Sequence, residues 1–324
     1  MSKIYFAKFN INENIHQIYD GKHDLDFYLR KILVGLNENT VICYSESKRK
    51  IVDVFSINDI KDLNNPESVK EPEESCSYYK FMALNATQVN GDEIYNGRVI
   101  RIYADSWHRF KFDEDGKESL TDHHASDKTS YCTFSFNISK EIIGFSTKND
   151  FRKEKFMMIF KHLIEETVPS IGEVEINLLI DAGALDAKFK RISRLYDVSI
   201  DFIPPNQSDK DVLGILKKLH GEVKETKATK AQIALHAPPK EPIKKSAKVI
   251  EAIISMAKLG YGRVKASGIS KSEEKVEIDT EKDVAYYREV PQESRDSIGV
   301  LSSETEDAIR YYQILRQNEV RRDE

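Results

Sequence analysis

Cysteine is scarce in this 324-residue sequence, and Cys43, Cys76 and Cys132 stand far apart. None forms a C-x-x-C pair, so the spacing excludes a closed cysteine-rich zinc site. The sparse usage fits a reducing compartment, and a cytoplasmic location is expected. Long apolar runs are missing as well. No stretch reaches the roughly 18 consecutive apolar residues that a spanning helix needs. The opening MSKIYFAKFNI has no extended apolar core before a small-residue cleavage site, so no leader is expected. Neither G-x-S-x-G nor G-x-x-x-x-G-K-[ST] occurs, which removes the nucleophile elbow and the P-loop from the candidate chemistries. His220-Gly221-Glu222 has the H-x-E spacing of zinc deaminases, but the P-C-x-x-C that must accompany it is absent.

What is present is a well-mixed globular composition. Hydrophobic residues make up 40% and charged residues 32%, enough apolar mass for a sizeable core and outside the disordered class. The length suggests two domains on a prior of roughly 150 residues each. The formal charge is −5, yet residues 201–271 hold thirteen lysines and one arginine against seven acidic residues. Such asymmetry points to a polyanion-facing region on an otherwise acidic protein, or to lysines on solvated helix faces.

The periodicities predict an α+β fold with a β-rich first part, residues 1–170. KIYFAKFNI opens it as a strand, and Leu25, Tyr28, Leu29, Ile32 and Leu36 mark a helix. TVICYSE and RKIVDVFSI follow as strands, before an acidic, proline-containing loop at 61–77. YYKFMAL, RVIRIYA and HRFKF are further strands, and DEDG at 113–116 is a turn. YCTFSFNI places Cys132, Phe134, Phe136 and Ile138 on one face of a strand, and Phe156, Ile159, Phe160 and Leu163 form a helical stripe.

Residues 171–295 read as a second part in which strands and helices alternate. Val174, Ile176, Leu178 and Ile180 alternate along one strand. Twice thereafter a strand is followed by Pro-Pro, a helix and a glycine, at 198–221 and 232–260. GRVKASG, KVEID and VAYYREV close the part as three strands. Residues 296–324 form a terminal helix suited to dimerisation, with Ser303-x-x-Glu306 as a capping box and Arg321 and Arg322 at its end.

The segment KLGYGRVKASG, residues 258–268, resembles a glycine-rich phosphate loop at first sight. Its order is reversed, however. A helix precedes the glycines and a strand follows, so the helix end facing the loop carries carbonyls, which repel anions. Gly260 is better read as the left-handed residue that ends the helix. The basic residues suggest a ledge for phosphates: Lys217, Lys218, Lys244, Lys245, Lys248 and Lys258 from the helices, with Arg263 and Lys265 from the strand. The competing reading pairs Arg263 and Lys265 across the hairpin with Glu277 and Asp279.

Other constellations are weaker. Asp122, His123, His124 and Asp127 could coordinate a metal, but a polar loop explains them as well. Asp201 with Glu222-Val223-Lys224 or Glu225-Thr226-Lys227 has the acid and E-x-K elements of metal-dependent nucleases, although both triplets fall in a linker. Cys132 on an apolar face reads as core. His108 and His162 read as surface or satisfied core groups. Tyr286 and Tyr287 read as one ring on each face of a strand, against base stacking as the alternative.

EIIGFSTKNDFRKEKFMMIFKHL, VEINLLID and VSIDFIPPNQSDKDVLGILKKL resemble, in pattern, the strand–loop–helix and strand–Pro–helix passages of RexA-like phage-exclusion proteins of lambdoid prophages. The similarity covers about residues 140–240. It implies an α+β homodimer that binds DNA without marked sequence preference and acts in phage exclusion or abortive infection through a membrane-protein effector. Duplex DNA is the expected ligand, and no cofactor is expected. The acidic net charge and the 61–77 loop depart from that pattern. The expectation is therefore a non-catalytic nucleic-acid sensor. A metal-dependent nuclease and a protein-interaction module working through the acidic N-terminal half are the alternatives.

Overall fold

In the computed structural model the chain is described over residues 1–45, 47–56, 76–89, 91–103, 111–112, 118–119, 130–148, 151–206 and 225–321. Most of the expected acidic 61–77 loop, the expected turn at 113–116, His108, residues 122–127 and the expected helix bearing Lys217 and Lys218 lie outside these residues, as do His220, Glu222 and Lys224.

The fold is α+β. Its strands are β1 (Ser2–Ile11), β2 (Thr40–Ser45), β3 (Lys50–Ser56), β4 (Cys76–Val89), β5 (Asp92–Tyr103), β6 (Lys111–Phe112), β7 (Glu118–Ser119), β8 (Ser130–Asn137), β9 (Ile142–Ser146), β10 (Val174–Leu178), β11 (Arg194–Phe202), β12 (Ala231–His236), β13 (Gly262–Ile269), β14 (Lys275–Asp279) and β15 (Tyr287–Val290). The helices are α1 (Ile15–Tyr19), α2 (Leu25–Gly35), α3 (Lys153–Thr167), α4 (Ala182–Arg191), α5 (Lys248–Lys258), α6 (Thr280–Asp283) and α7 (Ile298–Arg321).

A large antiparallel sheet runs in the order β10-β1-β9-β8-β5-β4-β2-β3, and β15 also pairs with β1. One side of β1 is shared: β15 takes Ser2–Tyr5 and β10 takes Ala7–Ile11. Being paired on both edges and covered on both faces, β1 is buried along most of its length. The predicted faces pack as read. Cys132, Phe134, Phe136 and Ile138 join Phe156, Ile159, Phe160 and Leu163 of α3 in one core. The Phe145 and Phe156 rings stack there at 4.1 Å.

The opposite face of β8 is polar yet equally buried, through Thr133, Ser135 and Asn137. α7 covers it. Ser302 donates to Asn96 Oδ1 at 3.0 Å and lies 3.3 Å from the Ser135 hydroxyl, which matches part of the polarity hidden beneath the helix, while the Thr133 hydroxyl has no partner among the described residues. α7 starts earlier than the capping-box reading placed it. Ser297 accepts from the Val300 N–H, and Ser303 and Glu306 lie inside the helix.

A second sheet, β12-β11-β13-β14, is antiparallel throughout. Val198, Ile200, Val264 and Ala266 point to one face, where Leu185 of α4 and Ile250, Ile253 and Met256 of α5 cover them. On the other face β11 shows Asp197, Ser199 and Asp201, and β13 shows Arg263, Lys265 and Ser267. Gly260 ends α5 with φ +75°, as its place after the helix suggested. β10 and β15, read as members of the second part, complete the first sheet instead. The large sheet thus takes strands from both sides of residue 170.

Candidate functional site

The helix layer carries the first group of cations. α4 ends at Arg191 without a backbone cap, and Lys245 takes over that role. Its ammonium donates to the carbonyls of Phe189 (2.9 Å) and Ile192 (2.6 Å). These are among the orphan acceptors of a helix C-terminus, where a cation is also favoured by the dipole. Burial pushes the Lys245 pKa down. Lys245 is therefore a structural group, not a phosphate ligand in waiting. Its contacts bring residues 244–248 beside the last turn of α4. Lys190, Arg191, Lys244 and Lys248 are all exposed there, and none is in an ion pair with a described residue. Lys190 and Arg191 escaped the sequence reading because they lie outside the basic 201–271 window, although KFKR is visible in the sequence.

Lys258, at the other end of α5, is only 2% exposed. It lies 3.0 Å from Asp186 and 3.3 Å from Glu319 of α7. Its charge is thus met inside the protein, which removes it from the expected phosphate ledge. Arg263 is engaged in the same way. It holds Asp279 with two hydrogen bonds, 3.1 and 2.6 Å, and Glu281 at 2.5 Å. Burial alone would raise the Asp279 pKa, but the Arg263 guanidinium outweighs it and holds the carboxyl below its usual range. The cross-hairpin pairing is thus real for Arg263, with Asp279 and Glu281 as partners. Lys265 is exposed on the same strand, directly opposite Asp279 and Ser199 in the register.

These positions do not form one continuous ledge. Lys244 and Lys248 belong to the layer that covers one face of the small sheet, while Arg263 and Lys265 point from the other. Strand alternation places Asp197, Asp201, Glu277 and Asp279 around the latter pair.

That outer face borders a cleft of about 480 Å³ between the small sheet and the β10 edge of the large one. Glu175 and Asn177 come from β10, Asp201 from β11, Arg263 from β13 and Glu281 from α6. Lys230, just before β12, also lines the cleft and sits between Glu173 (2.7 Å) and Glu175 (2.5 Å). Both cleft cations are thus neutralised by pairs of carboxylates. Burial raises the Glu281 pKa despite the neighbouring Arg263. Asp201 remains exposed and in no ion pair with a described residue. Tyr261, fully buried, forms part of the same wall, and its hydroxyl meets no partner among the described residues.

The nuclease constellation does not assemble among the described residues. Asp201 lines the cleft, but Glu225 is not part of its wall, and no group of three or more His, Cys, Asp or Glu side chains there is arranged to hold a metal. Cys132 is core, where burial drives its thiol far above the usual range. Tyr286 stacks on Tyr311 at 4.3 Å, while Tyr287 turns outward under Lys3, as one ring per face requires. His162 pairs with Glu165 at 3.3 Å. No described helix is long and apolar enough to cross a membrane.

No curated protein matches the chain. Residues 78–303, from β4 into α7, match the family model described as "Domain of unknown function (DUF4747)". The match covers the small sheet, the strands of the large sheet that follow β3, and more than two thirds of the sequence, and the protein belongs to the DUF4747 family.

Proposed function

We propose that this protein is a non-enzymatic, cytoplasmic nucleic-acid-binding protein that acts in phage exclusion. Duplex DNA is its ligand, it works as a homodimer, and a membrane protein serves as its effector. The observation that carries the reading is the group of exposed cations on the helix layer that form no ion pair with a described residue: Lys190, Arg191, Lys244 and Lys248. A solvated cation without a carboxylate partner is free to release counterions from a phosphate backbone, and that release drives sequence-independent DNA binding. The Lys245 bonds to α4 fix the two segments that carry these side chains, so the charges are presented together. The pattern-level resemblance to RexA-like proteins supports the biological setting. Outside this patch the acidic surface repels the duplex and orients it.

Fluorescence anisotropy with a labelled duplex, titrated over salt, tests the reading. Binding should weaken steeply as salt rises. Lys244→Gln with Lys248→Gln should lower affinity and reduce the log–log salt slope by about 1 per contact removed. Lys265→Gln should leave both unchanged. Absence of salt-dependent binding, or equal loss with Lys265→Gln, would overturn it.

A further inference from the structure

We infer that the connection between β12 and α5, residues 237–247, is a stiff cationic strap that adds Lys240 to the phosphate-contacting surface, with Glu241 as the acid that limits its affinity. The inference rests on the nucleic-acid reading and deepens it at the same site.

The connection reads APPKEPIKKSA. Pro238, Pro239 and Pro242 each fix their own φ and supply no N–H, so the segment cannot extend the β12 ladder. It is tied to β11 instead. The Ala237 N–H donates to the Tyr196 carbonyl at 2.8 Å, and the Tyr196 hydroxyl donates to the Pro239 carbonyl at 3.1 Å. The Ile243 N–H donates to the Leu195 carbonyl at 2.7 Å. Between these ties the Glu241 N–H returns to the Pro238 carbonyl at 3.0 Å, closing a tight turn. Lys245 then fastens the far end to the carbonyls of Phe189 and Ile192.

These ties place the cations. Leu195 and Tyr196 are consecutive in β11, and they hold Ile243 and Pro239. Lys244 and Lys240 each follow one of the held residues, so they leave the strap from neighbouring points. Lys240 is exposed and forms no ion pair with a described residue, as is true of Lys244 and Lys248. A cation on a pinned backbone has less freedom to lose when it meets a phosphate, so more of the gain from counterion release survives as affinity. Glu241 is the one carboxylate of the strap and is also exposed. It stands between the two lysines in the chain and repels the same phosphates.

Fluorescence anisotropy on the full chain with a labelled duplex, titrated over salt, tests the inference. Lys240→Gln should weaken binding and reduce the log–log salt slope by about 1, while Lys240→Arg keeps both near the parent values. Glu241→Gln should tighten binding. Both side chains are exposed, so the variants should fold, and unchanged circular dichroism spectra verify this. A parent that binds with a steep salt slope, beside a Lys240→Gln variant of equal affinity and slope, overturns the strap and leaves the nucleic-acid reading standing. Unchanged or weaker binding by Glu241→Gln removes the role given to that acid. A parent without salt-dependent binding overturns both readings.

Discussion

The Lys258 ammonium lies 3.3 Å from the Glu319 carboxylate, and both side chains are almost wholly buried. The two residues are 61 positions apart, and their contact ties α5 of the small sheet to the terminal helix that covers the large one. Ser255 adds a hydrogen bond to the same carboxylate at 2.5 Å. Lys258→Met leaves Glu319 charged and buried, and breaking a buried pair from one side costs about 3–5 kcal/mol. Urea unfolding should show this loss. DNA affinity of the fraction that remains folded should match the parent.

Lys245→Met separates a structural lysine from its neighbours. It strips two helix-end carbonyls of their donor. The site is partly open to water, so the loss should be about 1 kcal/mol. Lys244→Met, one residue away and exposed, should change stability by less than about 0.5 kcal/mol while weakening DNA binding. Chemical denaturation and anisotropy on the two variants check the contrast.

Gly144 in β9 lies against α7. A Cβ there would fall on the Thr305 hydroxyl, with the Phe6 ring also close, so a neighbour must shift to admit it. Gly144→Ala should destabilise by about 1–3 kcal/mol through overpacking. Thr305→Ala removes the obstructing atom, so the double variant should recover part of the loss. A double-mutant cycle by thermal or chemical unfolding would show the coupling.

Stability should fall in acid. Asp296 is held below the usual carboxylate range because Lys148 and the Tyr131 hydroxyl outweigh its burial, and Asp279 is held down by Arg263. A depressed carboxylate stabilises the fold fully above its unfolded pKa, and that contribution is lost as pH falls through the folded value. The melting temperature should therefore drop as pH is lowered below the ordinary carboxylate range, and less so in Asp296→Asn with Asp279→Asn. Glu281 has the opposite sign. Its pKa is raised, so Glu281→Gln should stabilise the protein most above the Glu281 folded pKa.

Much of the fold was legible because apolar periodicity is local. The α3 stripe, the inward face of β8 and the alternation in β10 can each be read within a dozen residues, and each packs as read. The end of α5 at Gly260 was legible for the same reason. The partnership of β15 was not. Its sequence looks like the third strand of a meander, yet it pairs with β1, a choice made by the space left beside β10. Nor could the burial of Thr133, Ser135 and Asn137 be read, because polar residues on alternate positions ordinarily signal solvent until a helix from elsewhere in the chain covers them.

The sequence by itself determined which segments become strands and helices and which side of each is apolar, because those preferences act over a few residues and depend only on the neighbours. Tertiary structure alone decided which charges stay free. The 201–271 window is basic when counted along the chain, yet Glu173, Glu175, Asp279, Glu281 and Glu319 enter from outside it and neutralise Lys230, Arg263 and Lys258. Coulomb attraction falls with distance in space and not with separation along the backbone, so only the folded arrangement leaves Lys244 and Lys248 exposed and in no ion pair with a described residue.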